Sequence, residues 1–197
     1  MASPPTFKTI AAPANGEYKE KGSKFISLAY PVSNEAEIRA ILEEIKKEHH
    51  KARHVCYAYI LGADKAISKA QDAGEPTHSA GAPILGQIRS LDLTNVLLVV
   101  VRYFGGTKLG LGGLVSAYKT ASEDALKNAE IVEDYEKIIV HLSVSYEEMP
   151  RLMEFFKQHK LPVKEQIFGD NCFFSIEIAA TEKDNTYELL KSNNFNI

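Results

Sequence analysis

The sequence predicts an α+β fold in two domains, and three observations carry that reading. Asn95–Phe104 (NVLLVVVRYF) is a continuous valine-rich run of strand length, followed by a glycine-rich turn and a helical pattern. Composition changes near residue 132: residues 1–132 hold 16 Lys+Arg against 14 Asp+Glu and eleven of the twelve glycines. Residues 133–197 hold 7 Lys+Arg against 12 Asp+Glu and only Gly169. The third observation is the order of apolar patterns after residue 132, β-α-β-β-α-β, which is the split ferredoxin-like pattern. The expected domains are therefore 1–132 and 133–197, joined at the acidic stretch Glu133-Asp134-Tyr135-Glu136.

In chain order, Lys24–Val32 suits a strand. Asn34 then offers a side-chain cap with Glu37 three residues on, and Ile38, Ile41, Leu42 and Ile45 follow at helical spacing. His54–Leu61 reads as a second strand, Gly62–Pro83 as a long polar loop and Ile84–Leu91 as a short helix. Asn95–Phe104, apolar throughout, is expected to be covered on both faces. Leu114–Ala129 is a helix with Leu114, Tyr118, Ala121 and Ala125 on one side.

In the second domain Ile138, Val140, Leu142 and Val144 alternate with more polar neighbours, giving a strand with one solvated face. Met149, Leu152, Met153 and Phe156 repeat at helical spacing. Val163–Phe168 and Cys172–Ala180 are strands joined by the turn residues Gly169-Asp170-Asn171. Thr181 with Asp184 opens a last helix, and Phe195–Ile197 suits a short final strand.

Composition excludes several classes. A hydrophobic fraction of 45% with 25% charged residues is ordinary for a globular protein and argues against disorder. The two cysteines, Cys56 and Cys172, give no disulfide framework. The longest apolar run, Val96–Val101, falls far below the ~18 residues of a membrane span. Met1–Gly16 shows no secretory pattern, so a soluble, reduced, cytoplasmic protein is expected. The net charge of −3 argues against nucleic-acid binding through bulk electrostatics, but it averages +2 over residues 1–132 and −5 over the rest. One basic face can therefore coexist with an acidic second domain.

The stretch Arg102-Tyr103-Phe104-Gly105-Gly106-Thr107-Lys108-Leu109-Gly110-Leu111-Gly112-Gly113 joins the apolar strand to a helix. Its glycines can bring backbone N–H groups close to an anion, and Arg102 and Lys108 add cationic donors. It is neither a Walker loop nor a G-x-G-x-x-G fingerprint, since no Gly-Lys-Ser/Thr triplet exists and Val115 stands where the third glycine would be. The same glycines would also serve tight strand–helix packing. Tyr103 and Phe104 are candidates for base stacking, although Phe104, ending an apolar run, reads better as core.

A second constellation, Asp72-Ala73-Gly74-Glu75-Pro76-Thr77-His78-Ser79-Ala80-Gly81, offers Asp72, Glu75 and His78 as acid, base or ligand groups. Gly74 and Pro76 disfavour a regular helix there. No CxxC or HExxH spacing appears, so no metal site and no cofactor are expected. Turn-forming hydrogen bonds by Asp72 and Glu75 are the plainer reading. A third group, Lys47, Lys51 and Arg53, forms a local basic face at a helix end, with His49 and His50 beside it. His54 reads as a satisfied core histidine and Cys56 as a small buried filler.

These same residues resemble the YigZ/IMPACT family. The likeness rests on Asp72–Leu85 (DAGEPTHSAGAPIL) and Asn95–Leu126 (NVLLVVVRYFGGTKLGLGGLVSAYKTASEDAL), with weaker support from Tyr18–Ser27 and Ala52–Gly62. The family's acidic loop usually reads D-D-G-E-P. Here Ala73 replaces the second acid, His78 stands where a small residue is commoner, and Val101 replaces the usual threonine. Asp72, Glu75, Arg102, Gly105, Gly106, Lys108, Gly110, Gly112 and Gly113 match.

The resemblance implies an N-terminal left-handed β-α-β domain similar to the fourth domain of elongation factor G. It also implies a ferredoxin-like C-terminal domain similar to that factor's fifth. It suggests a bacterial two-domain member, and for the eukaryotic members it implies translation regulation by contact with a kinase-activating factor. The expected function is thus a non-enzymatic binding or regulatory protein that contacts RNA or the ribosome. One alternative is a protein–protein regulator of a translation-control factor. The other is an enzyme acting on a phosphorylated or nucleotide ligand held by the glycine-rich loop, with Glu75 or Asp72 as base.

Overall fold

The computed structural model describes residues 5–195. One compact unit spans Thr6–Asp134 and a second begins at Tyr135. The first unit runs β1 (Thr6–Ile10), β2 (Ala14–Glu20), β3 (Ser23–Pro31), α1 (Glu35–Glu48), β4 (His54–Leu61), β5 (Ile67–Gln71), α2 (Gly81–Ser90), β6 (Val96–Tyr103), α3 (Gly110–Lys127) and β7 (Ile131–Tyr135). Five strands form one sheet in the order β2-β3-β6-β4-β5, and β1 pairs with β7 in a separate ribbon.

The apolar run becomes the central strand, as its pattern requires. β6 pairs antiparallel with β3 on one side and β4 on the other, and every residue from Val96 to Arg102 is buried. Period-2 alternation then divides its side chains between two cores. Val96, Leu98 and Val100 join Ile84, Ile88, Ala117, Tyr118 and Ala121 from α2 and α3. Leu97, Val99 and Val101 join Ile38, Leu42 and Ile45 from α1. The Asn34 side chain caps α1 by accepting from the Ala36 and Glu37 N–H groups at 3.0 Å each, while the Glu37 carboxylate accepts from the Ser33 N–H at 2.8 Å.

Four features differ from the sequence reading. β1 and β2 have no counterpart in it, because the large apolar side chains of residues 6–20, Phe7, Ile10 and Tyr18, are too widely spaced to mark a strand, and β2 gains its form from pairing with β3. The expected loop Gly62–Pro83 contains β5, a fully exposed edge strand whose residues (ISKAQ) carry no core face. The helix expected from Leu114 begins at Gly110, so Gly110, Gly112 and Gly113 belong to its first turn rather than to a loop. Most of the acidic stretch expected as a join lies in β7.

The two edges of the sheet are treated differently. On β2, the Asp124 carboxylate accepts the Glu17 N–H at 2.9 Å and Asn128 Nδ2 donates to the Asn15 carbonyl at 2.8 Å, so α3 occupies edge groups that would otherwise be open. β5 has no strand beyond it among the described residues.

The second unit comprises β8 (Lys137–Val144), α4 (Met149–Gln158), β9 (Val163–Phe168), β10 (Cys172–Ala179), a 3-10 turn (Ala180–Glu182) and α5 (Lys183–Ser192). Its sheet order is β8-β10-β9, antiparallel throughout, the arrangement a split β-α-β gives its first three strands. Val140, Leu142, Phe155, Phe156, Phe174, Ile176 and Leu190 form its core. Of the expected final strand, Phe195 is buried against Phe155 outside any strand, and the remaining two residues lie outside the described ones. Among the described residues no helix is long and apolar enough to cross a membrane.

Candidate functional site

The strand register builds the site. Arg102, near the end of β6, lies opposite Phe25 of β3 and His54 of β4. Period 2 puts it on the same face as Val100 and Leu98, beneath α2 and α3. There Arg102 is only 5% exposed. It is held by Glu75, whose carboxylate accepts from Arg102 Nη1 at 2.6 Å and from the Tyr118 hydroxyl at 2.9 Å. Arg102 Nη2 reaches Ser23 Oγ at 3.4 Å, and the same oxygen accepts from the Gly105 N–H at 3.2 Å. The Glu75 side chain is 4% exposed, so the two charges form a buried pair rather than a surface contact.

Aromatic rings enclose that pair. The Arg102 guanidinium carbon lies 5.5 Å from the Phe25 ring centre and 5.7 Å from that of Phe104, within cation–π range of both. Phe25 meets Tyr118 edge-on at 5.2 Å. Phe104 itself is 53% exposed, contrary to the core role expected of it. Its run of apolar neighbours stops at Val101, and the chain leaves the sheet just after Tyr103.

Asp72 organises the acidic loop. Its carboxylate accepts the His78 N–H at 2.9 Å, the Ala80 N–H at 3.0 Å and the Gly81 N–H at 2.8 Å. Ala80, the residue preceding α2, has no side-chain oxygen to cap the helix, so Asp72 performs that task from eight positions upstream. Burial raises the Asp72 pKa, but the three N–H donors outweigh it and hold the carboxyl below its usual value. The unfolded carboxyl titrates near about 3.9. The folded one titrates lower, so this stabilisation is complete above the unfolded value and is lost as pH falls through the folded one. Asp72→Asn places an NH2 against one of these donors. It is expected to lower stability by about 1–3 kcal/mol at neutral pH, with the deficit shrinking below about pH 4. Urea midpoints for both proteins across that range check it.

The remaining sequence-flagged residues separate into distinct roles. His78 is exposed and uses its backbone N–H rather than its ring, so Asp72, Glu75 and His78 do not converge. Among the described residues no group of three His, Cys, Asp or Glu side chains could hold a metal. Tyr103 sits beside His49, its hydroxyl 2.9 Å from Nδ1. His54 is half-buried, its Nδ1 3.1 Å from the Ala73 carbonyl, which fixes the proton on that nitrogen. Cys56 is fully buried, its sulfur 2.9 Å from the Asp72 carbonyl and 3.3 Å from the Tyr118 hydroxyl, and burial pushes its thiol up to about 12. A thiol so poorly ionised is no nucleophile. Burial likewise pushes the Tyr118 phenol well above its ordinary value.

What the fold brings together is a cleft of about 470 Å³ lined by Arg53, His54, Glu75, Pro76, Arg102, Phe104, Lys108, Leu109, Gly110, Leu111 and Leu114. Three of the sequence constellations thus meet in one place, at the start of α3. Arg53 and Lys108 are exposed at the cleft, whereas Lys47 and Lys51, also exposed, do not line it. Helical spacing marks Tyr118 only as a core position. Its hydroxyl is the signal that spacing overlooks, because a buried phenol needs a partner and Glu75 supplies it.

The Impact N-terminal domain model matches residues 21–126. "IMPACT family member YvyE" of Bacillus subtilis (strain 168) is 33% identical over 177 residues, covering 90% of this chain and 82% of its own. "IMPACT family member YigZ" of Escherichia coli (strain K12) is 38% identical over 119 residues, 59% of this chain and 58% of its own. A solved structure titled "Crystal structure of an hypothetical protein" superposes with a TM-score of 0.73 at 26% identity, covering 98% of this chain and 95% of that one.

Proposed function

Since the chain belongs to the IMPACT family, we propose that it is a non-enzymatic binding protein with a role in translation, exerted through contact with RNA or the ribosome. The observation that carries this reading is the cleft at the start of α3. There Lys108 and Arg53 are exposed beside the half-exposed ring of Phe104, while the carboxylate that lines the same cleft, Glu75, is paired with Arg102. Cationic groups beside the first turn of a helix suit phosphate, and an exposed ring suits a base. The binding reading is also favoured over catalysis by the state of the two carboxylates. Asp72 is taken by three N–H groups and Glu75 by Arg102 and Tyr118, so neither is poised to accept a substrate proton.

The geometry changes which residues test this. Arg102 is buried and paired, so Lys108 and Arg53 are the cations available to phosphate. Lys108→Ala combined with Arg53→Ala is expected to weaken RNA binding at low salt. The slope of log affinity against log salt should flatten by about 0.7 for each single-strand phosphate that no longer meets a cation. Filter binding or anisotropy over a salt series measures both quantities. An unchanged affinity and slope would sink the proposal.

A further inference from the structure

We infer that the cleft at the start of α3 recognises an unpaired nucleotide, whose base stacks on the outer face of Phe104 while flanking phosphates meet Lys108 and Arg53. This deepens the RNA reading above and rests on it.

The platform is prebuilt. The Arg102 guanidinium carbon lies over both the Phe25 and the Phe104 rings, 5.5 and 5.7 Å from their centres. The guanidinium is held in place, because Arg102 donates to Glu75 at 2.6 Å and reaches Ser23 at 3.4 Å. The backbone just after the ring is pinned by the Gly105 N–H donating to Ser23 at 3.2 Å. The Arg102 guanidinium lies over the Phe104 ring, which remains 53% exposed and so keeps surface available for a base. A ring held this way loses little freedom on binding, which favours its use as a stacking surface.

The surroundings match a nucleotide rather than a bare anion. Leu109, Leu111 and Leu114 give the cleft an apolar wall, and its volume of about 470 Å³ lies within the ~300–1,000 Å³ of ligand sites. Inorganic phosphate would use the cations and leave both the wall and the ring unpartnered. One buried donor, Arg102 Nε, has no partner among the described residues, in a side chain that lines this cleft. A duplex would present phosphates but keep its bases within its own stack, whereas a single strand offers a free base face. Stacking of this kind is tolerant of sequence, because every base has a π-face.

The chain contains no tryptophan, so Phe104→Trp introduces a single indole at the platform. Titrating the full-length variant at low salt with a short oligoadenylate is expected to quench that indole, and raising salt should reverse the quenching. The oligoadenylate annealed to its complement should leave emission unchanged, as should inorganic polyphosphate. In the otherwise unaltered protein, Phe104→Leu keeps an apolar cover over Arg102 while removing the ring, and should weaken oligoadenylate binding by about 5- to 150-fold. Equal binding of single strand, duplex and polyphosphate, with a silent indole and a neutral Phe104→Leu, would overturn the stacking inference and leave phosphate binding intact. Failure of every RNA probe to bind at low salt would overturn both readings.

Discussion

Arg102→Ala is expected to lower the stability of the first unit by about 3–5 kcal/mol, because it leaves the Glu75 carboxylate buried with only a phenol for a partner. Three effects coincide in that substitution. The charge-assisted hydrogen bond at 2.6 Å disappears, Ser23 no longer meets Nη2, and the guanidinium no longer packs over the Phe25 and Phe104 rings. The pair need not itself stabilise the fold relative to apolar neighbours, since desolvating two charges offsets much of their attraction. What is severe is removing one member. Arg102→Met combined with Glu75→Gln tests that distinction, because Gln keeps an acceptor for the Tyr118 hydroxyl while no net charge is left behind. The double variant should recover a large part of the stability. Urea unfolding followed by far-UV circular dichroism measures the parent chain and each variant. A shift below about 0.5 kcal/mol for Arg102→Ala would mean that the pair is not buried as described.

Gly105→Ala should be comparably damaging, for a steric rather than an electrostatic reason. A Cβ at position 105 would lie 1.8 Å from the Gly22 carbonyl carbon and 2.1 Å from the Ser23 nitrogen. Both are backbone atoms of the β2–β3 turn, where Lys21 and Gly22 already adopt positive φ values of 45° and 79°. No side chain can swing aside, so either the turn opens or the segment after β6 lifts away and its bond to Ser23 breaks. A destabilisation of about 3 kcal/mol or more is expected, at the upper end for overpacking. Gly112→Ala is the matched control. It lies in the first turn of α3 with nothing within 4 Å of an added Cβ, and it should raise stability by about 0.5–1 kcal/mol through its better helix propensity. Thermal melts of the two variants beside the parent chain decide this, and similar effects of the two substitutions would refute the contrast.

That contrast marks the limit of what the glycine-rich stretch discloses as sequence. Along the chain, Gly105, Gly106, Gly110, Gly112 and Gly113 look like one cradle. In the fold Gly105 is a point of backbone contact, Gly106 and Gly110 carry φ of 88° and 73°, and Gly112 sits in open space. The elements legible in the sequence are those with strong local periodicity: α1 with its Asn34 cap, β4, β6, and the strands and helices of the second unit through α5. β1, β2 and β5 are not legible, since their apolar content is low and their strand form comes from ladder partners elsewhere in the chain.

The sequence by itself determined the α+β class, the buried central strand and the chemical groups gathered around residues 72–81 and 102–113. It did so because hydrophobic period and turn chemistry are local properties, readable within a window of a dozen residues. Only the tertiary structure decided what each charged group does. Arg102 and Glu75 are 27 positions apart, and they pair because β3, β6 and β4 stand side by side in one register beneath α2 and α3. That pairing withdraws Arg102 from the solvent and lays Phe104 over it. The cations left exposed at the cleft are Lys108 and Arg53. Burial and ion pairing depend on which elements become neighbours, and no local pattern in the chain records that.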